Sequence, residues 1–249
     1  MVPQQELWLE APEHPVLMAG DAHIWRVYLN QDGSTIQRSF ELLSADERQR
    51  ASKYHFQRDY ERFVLARGAL RMIVSRYMNL PPEQICFSLN PYGKPALSHG
   101  LGADSLHFNL THSENVALCA FTSGREIGID IEYVAKDGWS LELADSFFSP
   151  TEASTLRGLA SHLRTTAFFD CWTRKEAYIK AHGEGLSYPL HRFTVSLIPG
   201  QPASLLTTDD DPLEASRWTL IDLFPGKEYR SALAIQGKLR TLGCWQWLS

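Results

Sequence analysis

The sequence predicts an α+β protein made of two lobes of similar layout, each a small antiparallel sheet packed with helices. Two observations lead there. Helix-patterned sequence is followed by strand-patterned sequence twice along the 249 residues, an order that separates helices from strands and does not alternate them. The strand candidates are also short and closely connected, as in meanders of antiparallel strands. The Ser123-Gly124 turn divides the halves, giving expected lobes 1–124 and 125–249.

HIWRVYL (23–29) opens the first half as a strand. Ser44-Ala45-Asp46-Glu47 then fits a capping box, with Ser44 as N-cap and Glu47 reaching back. Helical sequence follows, interrupted near Tyr54–Arg58 and resuming to Asn79, where Pro81-Pro82 forbids continuation. NPYGKPAL (90–97) is rich in turn residues. LHFNL (106–110), VALCAF (116–121) and IGIDIEYV (127–134) read as three strands of one meander. In the second half, Ser149-Pro150-Thr151-Glu152 starts a short helix with proline at its first position. A long helix is expected over Thr165–His182, closed by Gly183. HRFTVSLI (191–198), RWTLIDLF (217–224) and YRSALAIQ (229–236) are strands, and 199–212 is the most loop-like stretch.

Composition narrows the function. Apolar residues make up 44% of the chain, an ordinary globular value, and the length allows a substantial core. A formal charge of −5 gives no reason to expect a nucleic-acid surface. The cysteines Cys86, Cys119, Cys171 and Cys244 are far apart, with no C-x-x-C pair, and read as reduced thiols in a cytoplasmic protein. No signal-peptide pattern opens the sequence, and no apolar run approaches the ~18 residues of a membrane helix.

Charged residues stand where the periodicity expects apolar ones. Arg67 falls inside the stripe of Phe63, Leu70, Val74 and Tyr77. It either snorkels at a helix edge or meets an anion, and a guanidinium suits phosphate. Glu176 and Lys180 lie four residues apart, as in an ordinary helix surface pair. They fall beside Phe169 and Trp172, however, while Arg174 and Lys175 take the polar face. In IGIDIEYV the isoleucines alternate onto one face, so Asp130 and Glu132 share the other, roughly 6.6 Å apart. If Glu176 approaches that face, three carboxylates converge and need a cation. With no His or Cys among them, these hard oxygens suit Mg²⁺ or Mn²⁺. Arg67, Lys180, Lys94 and His112 would flank a metal–phosphate site.

These residues resemble a known signature. GIDIE (128–132), then WTRKEAYIKAHGEGL (172–186), is similar to the paired motif of the 4′-phosphopantetheinyl transferases. YGKPAL (92–97) and FNLTHSENVAL (108–118) resemble two further blocks of that family, in the same order. The chain length resembles the broad-range surfactin-synthetase type, and the chain ends its cyanobacterial branch. The resemblance implies a pseudo-twofold, monomeric enzyme with its active site between the lobes. It would move the phosphopantetheine arm of coenzyme A to a serine of an apo-acyl carrier protein, or of a carrier domain of a polyketide or nonribosomal peptide synthase. Adenosine 3′,5′-bisphosphate would leave. Asp130, Glu132 and Glu176 match the metal ligands and Lys180 the phosphate-contacting lysine. Thr111, His112, Lys94, Arg50 and Arg67 match coenzyme A-binding positions. Thr111 replaces the usual serine, and Glu47 stands where some members have a phosphate-contacting lysine, leaving that task to Arg50. Glu176 or Glu132 would accept the serine proton. Glu152 resembles a further family acid or is simply a helix-start glutamate. Residues 133–165 resemble the carrier-docking segment, with Phe147, Phe148, Leu156, Arg157 and Arg164 as candidate contacts.

Overall fold

A computed structural model describes residues 8–98, 106–135 and 138–248. The first lobe runs β1 (Leu9–Glu10), β2 (Asp21–Tyr28), α1 (Gly33–Glu41), α2 (Ala45–Ala51), α3 (Gln57–Met78), β3 (Phe87–Leu89), β4 (Pro95–Leu97), β5 (Leu106–Ser113) and β6 (Val116–Ser123). The second runs β7 (Ile127–Tyr133), α4 (Leu141–Phe147), α5 (Pro150–Gly158), α6 (Ser161–His182), β8 (Phe193–Val195), β9 (Leu205–Thr208), β10 (Trp218–Leu223) and β11 (Tyr229–Gln236), before β12 (Thr241–Gln246). A strand, three helices, a hairpin and two strands thus occur twice. The antiparallel order β2-β6-β5 is repeated as β7-β11-β10. The expected pseudo-twofold is therefore written into the topology.

Helix ends follow their sequence signals. Ser44 and Ser149 both cap through capping boxes, closed by Glu47 and Glu152. The two long helices, α3 and α6, are 22 residues each and end on left-handed Asn79 and Gly183. α6 starts four residues before the expected Thr165.

Three expectations need correction. β7 does not extend the β5–β6 hairpin but pairs with β11 in the second sheet. Gly124, at φ +62°, turns the chain out of the first sheet, a conformation glycine adopts without strain. The stretch 191–198 is strand only over Phe193–Val195, and its partner β9 lies inside the stretch expected to be coil. β12 returns to the first sheet, parallel to both β1 and β2, so the C-terminal segment crosses the 124/125 division and makes that sheet mixed.

The two sheets meet through Ile127, Ile129 and Ile131, buried against Ile24, Leu118 and Ala120 of the first lobe. Each isoleucine contributes about 1.5–3 kcal/mol by leaving water. The opposite face of β7 lies under α6. A Cβ on Gly128 would stand 2.1 Å from the Ala177 carbonyl and 2.3 Å from the Ala181 nitrogen, so only glycine lets helix and strand come this close. The glycine thereby sets the height at which α6 holds its side chains over Asp130.

Candidate active site

β5 forms the wall between two charged regions. Its odd residues face the second lobe. Asn109 accepts from the Ile129 N–H (2.9 Å), and Ser113 accepts from the Tyr133 N–H (3.0 Å). Its even residues Leu110 and His112 face the first lobe's helices, as strand alternation requires. There they line a cleft of about 400 Å³ with Arg50, Tyr54, Phe63 and Arg67.

On the second-lobe side, Asp130 is buried and its Oδ1 lies 2.5 Å from the Lys180 ammonium. Thr111 donates to the same oxygen at 3.3 Å and accepts from Lys180 at 3.1 Å. Ser113 donates to Glu132 at 3.3 Å. Burial pushes the Asp130 carboxyl up in spite of Lys180. Burial and the Asp130 charge push Glu132 and Glu176 up to about 7. Burial disfavours the Lys180 charge, yet Asp130, Glu176 and Glu132 outweigh it and raise its pKa. One ammonium thus faces three carboxylates, and the cluster is short of positive charge.

A divalent cation fits that deficit. Asp130 Oδ2 is buried with no hydrogen-bond partner, an acceptor left open at a cost of about 1–3 kcal/mol. Every donor is an oxygen, which suits a hard ion. Among the described residues no three acidic, His or Cys side chains already form a closed ligand set. Mg²⁺ does not require one, because it usually takes one or two carboxylates and completes its shell with water and substrate phosphates.

On the first-lobe side, Arg67 has found its anion. Glu47 is buried, holds Arg67 through Oε1 (2.6 Å) and Arg71 through Oε2 (2.6 Å), and still closes the capping box on Ser44. Position 47 is thus a carboxylate that fixes two guanidiniums. Arg50 forms no ion pair among the described residues and packs over Phe63. His112 keeps an exposed face, and burial of the rest of its ring and the Lys180 charge lower its pKa.

The structure gathers Asp130, Glu132, Glu176, Lys180 and Thr111 on one side of β5, and Arg50, Arg67 and His112 on the other. Lys94 shares a cavity with Lys180, Asn109 and Leu110, but its ammonium is taken by Glu126 (3.0 Å) and the Ala181 carbonyl (2.8 Å). Arg174 and Lys175 do not lie on a polar surface. α6 is enclosed on nearly all sides, and both are buried against Asp222 and Glu152. Glu152 is itself a buried capping and ion-pairing residue. In the docking segment, Phe147 is exposed while Phe148 and Leu156 are core; residues 136–137 lie outside the described ones. Arg157 pairs with Asp145, and Arg164 bonds backbone carbonyls. Ser113 was missed, although the alternation 109, 111, 113 along β5 points to it.

Residues 126–234 match the 4′-phosphopantetheinyl transferase superfamily, and residues 30–123 match its N-terminal part. The 4′-phosphopantetheinyl transferase HetI of Nostoc sp. is 38% identical over 233 residues, 94% of this chain and 95% of that protein. The chain belongs to the 4′-phosphopantetheinyl transferase superfamily. A putative transferase of Synechocystis sp. is 31% identical over 88% of this chain and 80% of its own. The transferase Sfp of Bacillus subtilis is 35% identical over 70% of this chain and 76% of its own. Enzymes of this superfamily transfer the phosphopantetheine group from coenzyme A to carrier proteins. No helix among the described residues is long and apolar enough to cross a membrane.

Proposed function

We propose that this transferase acts as a cytoplasmic monomer. Its first lobe (1–124, completed by β12) receives coenzyme A, and its second, which begins at 125, carries the acidic cluster and docks the carrier protein. The observation behind this is the placement of opposite charge on the two faces of β5. Arg50, Arg67 and His112 line a cleft suited to the adenosine phosphates, and Thr111 and Lys180 meet the pyrophosphate where it passes the strand edge. Asp130, with Glu132 and Glu176, would hold Mg²⁺ (or Mn²⁺), which when bound neutralises pyrophosphate charge.

The carrier's serine oxygen forms a bond to the β-phosphorus as the bridging P–O bond breaks, and adenosine 3′,5′-bisphosphate leaves with the electron pair. Little covalent work is asked of the protein, so catalysis is positioning and charge stabilisation. Lys180 offers its ammonium to the departing phosphate. Glu132 or Glu176 would accept the serine proton. Mass spectrometry of apo-acyl carrier protein incubated with the enzyme, coenzyme A and Mg²⁺ tests the proposal. A gain of one phosphopantetheine mass is expected. No gain on fatty-acid, polyketide or peptide carriers would reduce the chain to a binding module.

A further inference from the structure

The Gly93-Lys94-Pro95 segment points in two directions. Gly93 and Pro95 line the cleft that holds Arg50, Arg67 and His112, whereas Lys94 does not. The Lys94 side chain is only 18% exposed and reaches across to the second lobe, where its ammonium donates to the Ala181 carbonyl (2.8 Å) and pairs with Glu126 (3.0 Å). Ala181 lies in the last turn of α6, whose carbonyls have no partner within the helix. A cation there also complements the helix dipole.

Asn90 completes the same attachment. Its Oδ1 accepts from the N–H groups of Tyr92 and Lys94, both at 2.9 Å, which shapes the turn. Its Nδ2 donates to the Gly183 carbonyl at 2.7 Å, immediately after α6 ends. A Cβ on Gly183 would meet Asn90 Nδ2 at 3.0 Å and Lys94 Cδ at 3.2 Å, so the contact is close-packed. The turn held in this way carries Lys180, one residue before Ala181, with its ammonium on Asp130 and Thr111.

We propose that Lys94 and Asn90 are positioning residues: the first-lobe hairpin grips the C-terminal turn of α6 and sets Lys180 over the reaction centre, and Lys94 is not a coenzyme A phosphate ligand. This rests on the reading of the Arg67 cleft as the coenzyme A site. A Lys94 that swung toward a bound phosphate would leave the Ala181 carbonyl without its donor, while Glu126 would keep only His107.

Calorimetric binding of coenzyme A and of 3′-dephospho-coenzyme A, each without metal, is the test, together with kcat on an apo-carrier protein. Lys94→Met is expected to bind coenzyme A within about twofold of wild type, to keep its preference over the dephospho form, and to lose about tenfold or more in kcat, the pattern of an interaction that matters in the transition state and not in ground-state binding. Asn90→Ala should lose kcat in the same way, and Lys94→Arg, which keeps a donor for Ala181, should regain most of it. A loss of about tenfold in coenzyme A affinity with collapse of the 3′-phosphate preference in Lys94→Met would make it a phosphate ligand and overturn the proposal. So would wild-type kcat in Lys94→Met or Asn90→Ala. If Lys94→Met does not fold, Asn90→Ala and Lys94→Arg decide by the same measurements. Failure of the wild type itself to bind coenzyme A would refute the reading of the cleft instead.

Discussion

The two lobes share one plan and use it for opposite charges. In both, a serine-capped short helix supplies a buried glutamate to the long helix that follows. In the first lobe Glu47 is divided between Arg67 and Arg71, and with Arg50 beside them the three guanidiniums outnumber Glu47 and Asp46, so positive charge is left for a phosphate. In the second, Glu152 and Lys175 pair one to one inside the core, and α6 turns Glu176 and Lys180 toward Asp130. The equivalent strands β2 and β7 show the same divergence. Trp25 on β2 bonds Tyr77 of α3 through its indole N–H at 2.9 Å, within a cluster that includes His23 and Trp245. Asp130 on β7 bonds Lys180 of α6. A duplicated frame has sealed one strand–helix junction with aromatic rings and kept the other charged and open at the seam, and this is where chemistry can occur.

If the two buried glutamates differ as described, their removal should differ too. Glu152→Ala leaves Lys175 wholly buried without its carboxylate and removes the acceptor of the Val195 N–H. A loss of about 3–5 kcal/mol is expected. Glu47→Ala should cost about half of that, because Arg67 can turn to water in the cleft, whereas Lys175, which like Arg71 keeps two backbone carbonyls, has no route to solvent. Urea melts of both variants measure this. Equal losses would remove the distinction between a structural pair and an anion receptor.

The next effect is on turnover. Asp130→Ala should lower transfer by about 100- to 1000-fold, the scale of removing a preorganised electrostatic group, with Tm close to wild type because the carboxyl is already disfavoured by burial. Full activity in that variant would sink the metal-site reading. The matching first-lobe change, Trp25→Phe, removes a core hydrogen bond and part of a fully buried ring system, and should leave kcat nearly unchanged while lowering Tm.

Much of this was readable from the chain because it is local. Alternation in IGIDIEYV put Asp130 and Glu132 on one face, the Ser44–Glu47 capping box and the Ser149-Pro150 helix start were spelled out within four residues, and the break at Tyr54–Arg58 separated α2 from α3. Arg67 announced that it needed an anion, but Glu47 lies 20 residues away on another helix, and no periodicity names a partner across a turn. Arg174 and Lys175 misled because helical pattern reports which residues are polar, not how many sides of a helix are covered. β12 stayed hidden for a similar reason: its partner β2 lies some 220 residues earlier, and a pairing of that separation leaves no trace in either segment.

The lobes should also answer pH with opposite signs. Burial would raise Glu47, but Arg67 and Arg71 prevail and its pKa is lowered. The stability it contributes is present above the unfolded value of about 4.5 and is lost as pH falls through the lower folded value. Glu132 and Glu176 are raised to about 7, so their contribution is present below about 4.5 and is lost as pH rises through 7. Without metal, the second-lobe site therefore grows less stable between those limits. A divalent cation binds the deprotonated carboxylates and should reverse that loss, by RT ln(1 + [L]/Kd). Thermal melts with and without Mg²⁺ should show a clear rise in Tm at about pH 8 and little at about pH 6. Asp130→Asn should abolish the difference, whereas Glu47→Gln should keep it and alter only the acid limb. A Mg²⁺ effect equal at both pH values would mean that these carboxylates are not where the metal binds.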